Sequence, residues 1–128
     1  MLKRSLLIGL MSLLLVTPGF AAGLSVAEGV ITTQVVDHAP IDELESYPAQ
    51  LGKLFCFTRI IGAEGETTVT HVWFYQDQEM ARIDLPVRSS SWRTYSSKNI
   101  LPQWAGDWKV QVLDDAGLEI GVIPFKLL

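Results

Sequence analysis

The chain has 128 residues, of which 48% are hydrophobic and 19% charged, with a single Cys and a formal charge of −4. That balance excludes a disordered tail, and one Cys excludes a disulfide-stapled mini-protein. An acidic domain also opposes nucleic-acid binding, which needs a basic surface for phosphate.

Residues 1–22 carry their own pattern. Met1 to Arg4 are positively charged, Leu6 to Val16 are almost wholly apolar, and Thr17 to Ala22 supply Pro, Gly and small residues. That order is the order of a secretory signal peptide, with cleavage after Ala21 or Ala22. The apolar run is well short of the roughly 20 residues of a membrane-spanning helix, so no stable membrane span is expected once the signal is cleaved. Residues 23–128 then form one domain, periplasmic or secreted, and loss of Lys3 and Arg4 takes its charge from −4 to −6. In an oxidising compartment Cys56 has no intramolecular partner, and it reads first as a small apolar residue in a core strand, with a reactive or dimer-forming thiol as the alternative.

Along this domain Leu24 to Val36 reads as a first strand, and Asp37 to Lys53, with Pro40, Pro48, Gly52 and several acids, as a long connection with room for one helical turn near Asp42 to Ser46. Short β-rich runs then recur at Leu54 to Ile61, Thr67 to Tyr75, Met80 to Val87, Trp92 to Ile100, Asp107 to Leu113 and Leu118 to Leu127. About seven closely spaced strands without a helical period predict an all-β, antiparallel two-sheet sandwich, immunoglobulin-like in style, ahead of a small barrel.

Turn lengths convert two of these hairpins into register predictions. A two-residue turn at Asp77 and Gln78 opposes Phe74 to Ala81, Val72 to Ile83 and Thr70 to Leu85 as the core face. It leaves His71, Trp73, Tyr75, Arg82 and Asp84 outside. A three-residue loop of Asp115, Ala116 and Gly117, with Gly117 left-handed, opposes Trp108 to Pro124, Val110 to Val122 and Val112 to Ile120. Trp108, Val110 and Val112 become core anchors, and a bulge or edge is expected beyond Pro124.

Cys56-Phe57-Thr58, His71-Val72-Trp73, Trp92 through Lys98, Gly106-Asp107-Trp108-Lys109-Val110, Asp115-Ala116-Gly117 and Phe125 form an ordered set. Together they resemble the bacterial family called domain of unknown function 2914, over residues 54–128. The resemblance implies a bacterial envelope or membrane-associated domain and no activity to carry over.

The chemistry is sparse. His71 beside Asp84 could be a general base oriented by a carboxylate, but the register sets no Ser, Thr or Cys beside it, and a surface cross-strand pair is the simpler reading. His38, His71 and Cys56 lack metal-ligand spacing, and no cofactor is expected. Ser96, Ser97 and Lys98 do not form a Ser-x-x-Lys motif, because Tyr95 stands where its Ser would be. Arg93 and Lys98 read as a cationic stripe able to meet a carboxylate or phosphate. Trp73 beside Arg82 is either a stacked surface pair or an aromatic platform. The reading is an exported binding module, monomeric or weakly dimeric and not an enzyme. It takes an envelope protein, or alternatively a cell-wall glycan or polysaccharide, through His71, Trp73, Tyr75, Arg82, Asp84, Arg93 and Lys98. An envelope hydrolase stands third.

Overall fold

A computed structural model of the chain describes residues 23–128, so the signal-peptide reading of residues 1–22 lies outside the described residues. Strands β1 (Ser25–Thr32), β2 (Val35–Val36), β3 (Ala39–Pro40) and β4 (Ser46–Tyr47) are followed by a short 3₁₀ turn at Ala49–Leu51. Then come β5 (Lys53–Ile61), β6 (Thr67–Tyr75), β7 (Gln78–Val87), β8 (Ser91–Asn99), β9 (Gly106–Leu113) and β10 (Glu119–Leu127). A five-stranded sheet in the order β4-β10-β9-β6-β7 packs on a three-stranded sheet in the order β1-β5-β8. The ladders are antiparallel, apart from the two-residue parallel pairing of β4 with β10. The two-sheet sandwich expected from strand spacing is therefore the fold, and β2 with β3 forms a separate small hairpin.

The first strand is divided because the chain turns after Thr32. Asp42 explains how that turn is held: its carboxylate accepts from the Thr32 hydroxyl at 2.8 Å and from the Thr33 amide and hydroxyl at 2.9 and 2.6 Å. Partial burial pulls the Asp42 pKa up, but the Thr33, Thr32 and Tyr47 hydrogen bonds outweigh it and hold the carboxylate below its usual range. Buried Tyr47 completes the knot by donating to the Ile31 carbonyl at 2.6 Å. The helical turn expected at 42–46 instead forms at Ala49–Leu51, because residues 42–47 are committed to these bonds.

Both predicted hairpin registers are off by one residue. The first turn consists of Gln76 and Asp77, each at positive φ (48° and 67°), the signature of a tight type I′ turn. Tyr75 then opposes Gln78, a bulge follows between Trp73 and Phe74, and His71 opposes Ile83 while Trp73 opposes Ala81. At the C-terminal end the predicted three-residue loop does form: the Gly117 amide bonds to the Asp114 carbonyl at 3.0 Å, and Gly117 lies at φ 84°. A bulge beside Leu113 and Glu119 then shifts the ladder, so that Trp108 faces Phe125 and Val110 faces Ile123. The expected irregularity lies before Pro124 rather than after it.

Trp108, Val110 and Val112 are buried as anticipated, and so is Cys56. Trp108 stacks on Phe125 at 5.9 Å between ring centroids, contacts Tyr75 and Trp104, and donates its indole N–H to the Trp104 carbonyl at 2.9 Å. The two sheets also close at one seam through glycines: a Cβ on Gly29 would stand 3.0 Å from Ile123, and one on Gly121 would stand 3.0 Å from Val26. Trp108→Ala should cost about 3 to 5 kcal/mol in chemical denaturation. Lys109→Ala should cost under about 1 kcal/mol, since its ion pair with Asp77 is exposed and 3.7 Å long. Equal losses would contradict the facing of β9.

Candidate functional site

Residues predicted to share an exposed face are divided by the observed register. His71 and Trp73 are 0% exposed and point between the sheets, which corrects their placement on the surface. The slip of one residue turns β6 over, because side chains alternate faces. Tyr75 follows them on the core side, half-buried, and its hydroxyl donates to the Ala105 carbonyl at 2.8 Å. Arg82 and Asp84 do lie on the outer face of the five-stranded sheet. Arg82 pairs with Glu79 at 3.1 Å, and Asp84 accepts from the Thr70 hydroxyl at 2.8 Å, so Asp84 does not orient His71.

Arg93 and Lys98 do not form one stripe either. Strand β8 pairs with β5 without a register break, and residues five apart on such a strand point to opposite faces. Arg93 is exposed on the outer face of the three-stranded sheet. Lys98 lies on the other face, its ammonium 4.9 Å from the centre of the Trp104 ring.

The inward face of β6 instead builds a buried polar cluster. Thr58 on β5 lies 3.2 Å from His71 Nε2, Ser96 on β8 lies 2.7 Å from His71 Nδ1, and the Trp73 indole donates to Ser96 Oγ at 3.1 Å. All four side chains are buried. Ser96 and Thr58 are thus beside His71, which the predicted register denied. The short Ser96 contact suits a hydroxyl donating to Nδ1, which leaves Nε2–H to donate to Thr58. Burial holds the His71 pKa down to about 4, so the ring is neutral at pH 7.

A serine hydroxyl at an imidazole nitrogen is the pairing of an activated nucleophile. Here both members are buried between the sheets. Their role is cohesion: the cluster joins β6 to both β5 and β8, and it stands between two apolar groups, one around Trp108 and Phe125 and the other around Ile60, Val69 and Val112.

The surface that remains available is one the sequence reading passed over. On the outer face of the three-stranded sheet Tyr95 is 45% exposed and packs at 5.9 Å on half-buried Phe55, with Arg93 and Ser97 at alternate positions on either side. The alternation Arg93, Tyr95, Ser97 was the available signal. A separate cleft of about 710 Å³ runs between β1 and β10, lined by Gly29 to Ile31, Glu43 to Glu45 and Ile123 to Lys126 among others.

No curated protein matches the chain. The family model described as Protein of unknown function (DUF2914) matches residues 66–127, a start twelve residues later than the resemblance suggested, which leaves β1 through β5 outside the match.

The buried histidine generates a pH prediction. Its folded pKa of about 4 lies below the unfolded value of 6.5, so the contribution is fully present above pH 6.5 and is lost as pH falls towards 4. The whole loss is about 3 kcal/mol, about 1.4 per pH unit. Urea unfolding of the domain and of His71→Gln across pH 7 to 4 should show this extra slope only in the parent. Parallel curves would place the acid sensitivity elsewhere.

Proposed function

We propose that this chain, whose residues 66–127 belong to the DUF2914 family, is an exported binding module of the bacterial envelope that holds another envelope protein through the outer face of its three-stranded sheet. The observation that carries this reading is Tyr95: an aromatic ring 45% exposed, backed by Phe55, with Arg93 two residues away on the same face. Tyr and Arg are the residue types that anchor protein interfaces, since each offers a large, stiff contact area together with hydrogen-bond donors. The face that carries Arg82 and Asp84 suits this less well, because Arg82 is occupied by Glu79 and Asp84 by Thr70.

Export follows from the charged, apolar and small-residue order of residues 1–22. Binding rather than catalysis is favoured because Ser96 and His71, the one serine and histidine pair in contact among the described residues, are buried. That burial weighs against Ser96 as the nucleophile of a hydrolase. A glycan is the second ligand class, supported by the open Tyr95 ring with the Ser97 hydroxyl beside it, an arrangement on which a sugar ring can stack and bond.

Tyr95→Ala should leave the domain folded and cost about 0.5 to 1.5 kcal/mol, the size of an aromatic contact such as that with Phe55. Capture of the partner from crosslinked envelopes should nevertheless weaken by about 2 kcal/mol or more, roughly thirtyfold. Saturable spectral changes with cell-wall saccharides, abolished in the same variant, would favour the glycan. Undiminished capture by Tyr95→Ala would remove this face from consideration.

A further inference from the structure

Beside Tyr95 the same face gathers positive charge on a domain whose formal balance is negative. Arg59 on β5 and Arg93 on β8 are directly opposed in the ladder, an arrangement of like charges that disfavours the sheet unless an anion answers it. Neither arginine has an ion pair among the described residues, and Glu28, the ladder neighbour of Arg59 on β1, is not within pairing distance. Arg59 Nη1 donates to Ser91 Oγ at 3.2 Å, which leaves the Ser91 hydroxyl proton free to donate outward.

A pocket of about 320 Å³ adjoins them, lined by His38, Ser89, Ser91, Trp92 and Arg93. His38 arrives from a distant part of the chain, on the turn between β2 and β3. Asp37 and His38 both take left-handed backbone angles there, φ 53° and 62°, with no glycine to ease them. The turn thus sets His38 against the pocket, and Asp37 is not among its lining residues.

We propose that this pocket binds the oxyanion of a ligand, a carboxylate or phosphate group, with Arg93 offering paired N–H donors, Ser91 a hydroxyl donor and His38 a third donor from the facing hairpin. This names the chemistry recognised at the outer face and rests on the reading of that face as the binding surface. Arg59 acts as a positioning residue: it holds the Ser91 oxygen and adds charge without lining the pocket.

Inorganic phosphate and acetate, titrated separately into the domain at constant ionic strength, supply the test through the amide and side-chain NMR signals of His38, Ser89, Ser91 and Arg93. Saturable shifts confined to those residues are expected with at least one anion. Arg93 is exposed, so its variants should fold, and Arg93→Gln should raise the midpoint at least tenfold while Arg93→Lys recovers part of it. Arg82→Gln, on the other sheet, should leave the midpoint unchanged. Saturation by phosphate alone assigns a phosphate group, and saturation by acetate as well shows that a carboxylate suffices. Linear shifts at every cationic residue with both anions, or equal midpoints for the parent and Arg93→Gln, would overturn the site. If the anions fail while Tyr95→Ala still loses its partner, only the oxyanion pocket is wrong; undiminished capture by Tyr95→Ala overturns the face itself.

Discussion

Between the two sheets an imidazole, an indole N–H and two hydroxyls must satisfy one another without water, and the packing of the sandwich depends on their doing so. An unpaired polar group in such a place costs about 1 to 3 kcal/mol, whereas a matched set is close to neutral or modestly favourable. The asymmetry gives the Thr58, His71, Ser96 and Trp73 cluster its authority over the fold. Apolar side chains tolerate small shifts between sheets, because dispersion and burial have little direction. A hydroxyl 2.7 Å from a ring nitrogen does not, since sliding β6 by one residue within its own sheet would point His71 outward and leave the Ser96 hydroxyl without its acceptor. The cluster therefore selects one alignment from several that the apolar residues alone would allow.

Strand edges are managed by a different device. Lys126 donates its amide to the Glu45 carbonyl across the short pairing with β4, so Pro124, two residues earlier on the same side of β10, turns its nitrogen to the open edge. No ladder bond is sacrificed there, and an incoming strand finds a missing donor. The β1 and β10 edges meet at the seam where Gly29 abuts Ile123 and Gly121 abuts Val26, a closeness that larger residues would prevent. These devices act on the β1 and β10 side, while β7 and β8 remain the other edge strands of the two sheets.

Strand content and sheet number were legible in the sequence because they depend on period and spacing, which survive small errors of alignment. Register was not, and the reason is local. On β6 both Val72 and Trp73 are fully buried, so alternation carries little information about which face is the core. The true turn, Gln76 and Asp77, contains no glycine to announce its positive φ angles, and the bulge beside Phe74 then lets the apolar residues of β7 regain the inner face. His71 was misjudged for a related cause: its partners come from 13 and 25 residues away on two other strands, and only the folded chain brings them together. By contrast Trp108, Val110 and Val112 were placed correctly even with the register wrong, because their own alternation with Lys109 and Gln111 sets the face.

The location of the candidate surface follows from what each sheet must spend on cohesion. The five-stranded sheet commits the aromatic side chains of its inner face to the interior, where Trp73, Trp108 and Phe125 pack edge to face and in a stack. Its outer charges are largely answered by neighbours, Arg82 by Glu79, Lys109 by Asp77 and Lys126 by Asp107. The three-stranded sheet has little width over which to distribute polar residues, and its outer face keeps Tyr95, Arg59 and Arg93 without ionic partners among the described residues. Exposed surface of that kind carries a cost in solubility and in self-repulsion that a chain under no other demand would relieve by substitution. The turn that brings His38 to the same place has two successive residues at positive φ, the same tight hairpin geometry as at Gln76 and Asp77. Tyr95, the opposed arginines and His38 thus gather on one side of the three-stranded sheet, and the anionic ligand proposed for that pocket would answer the two charges that the domain itself leaves opposed.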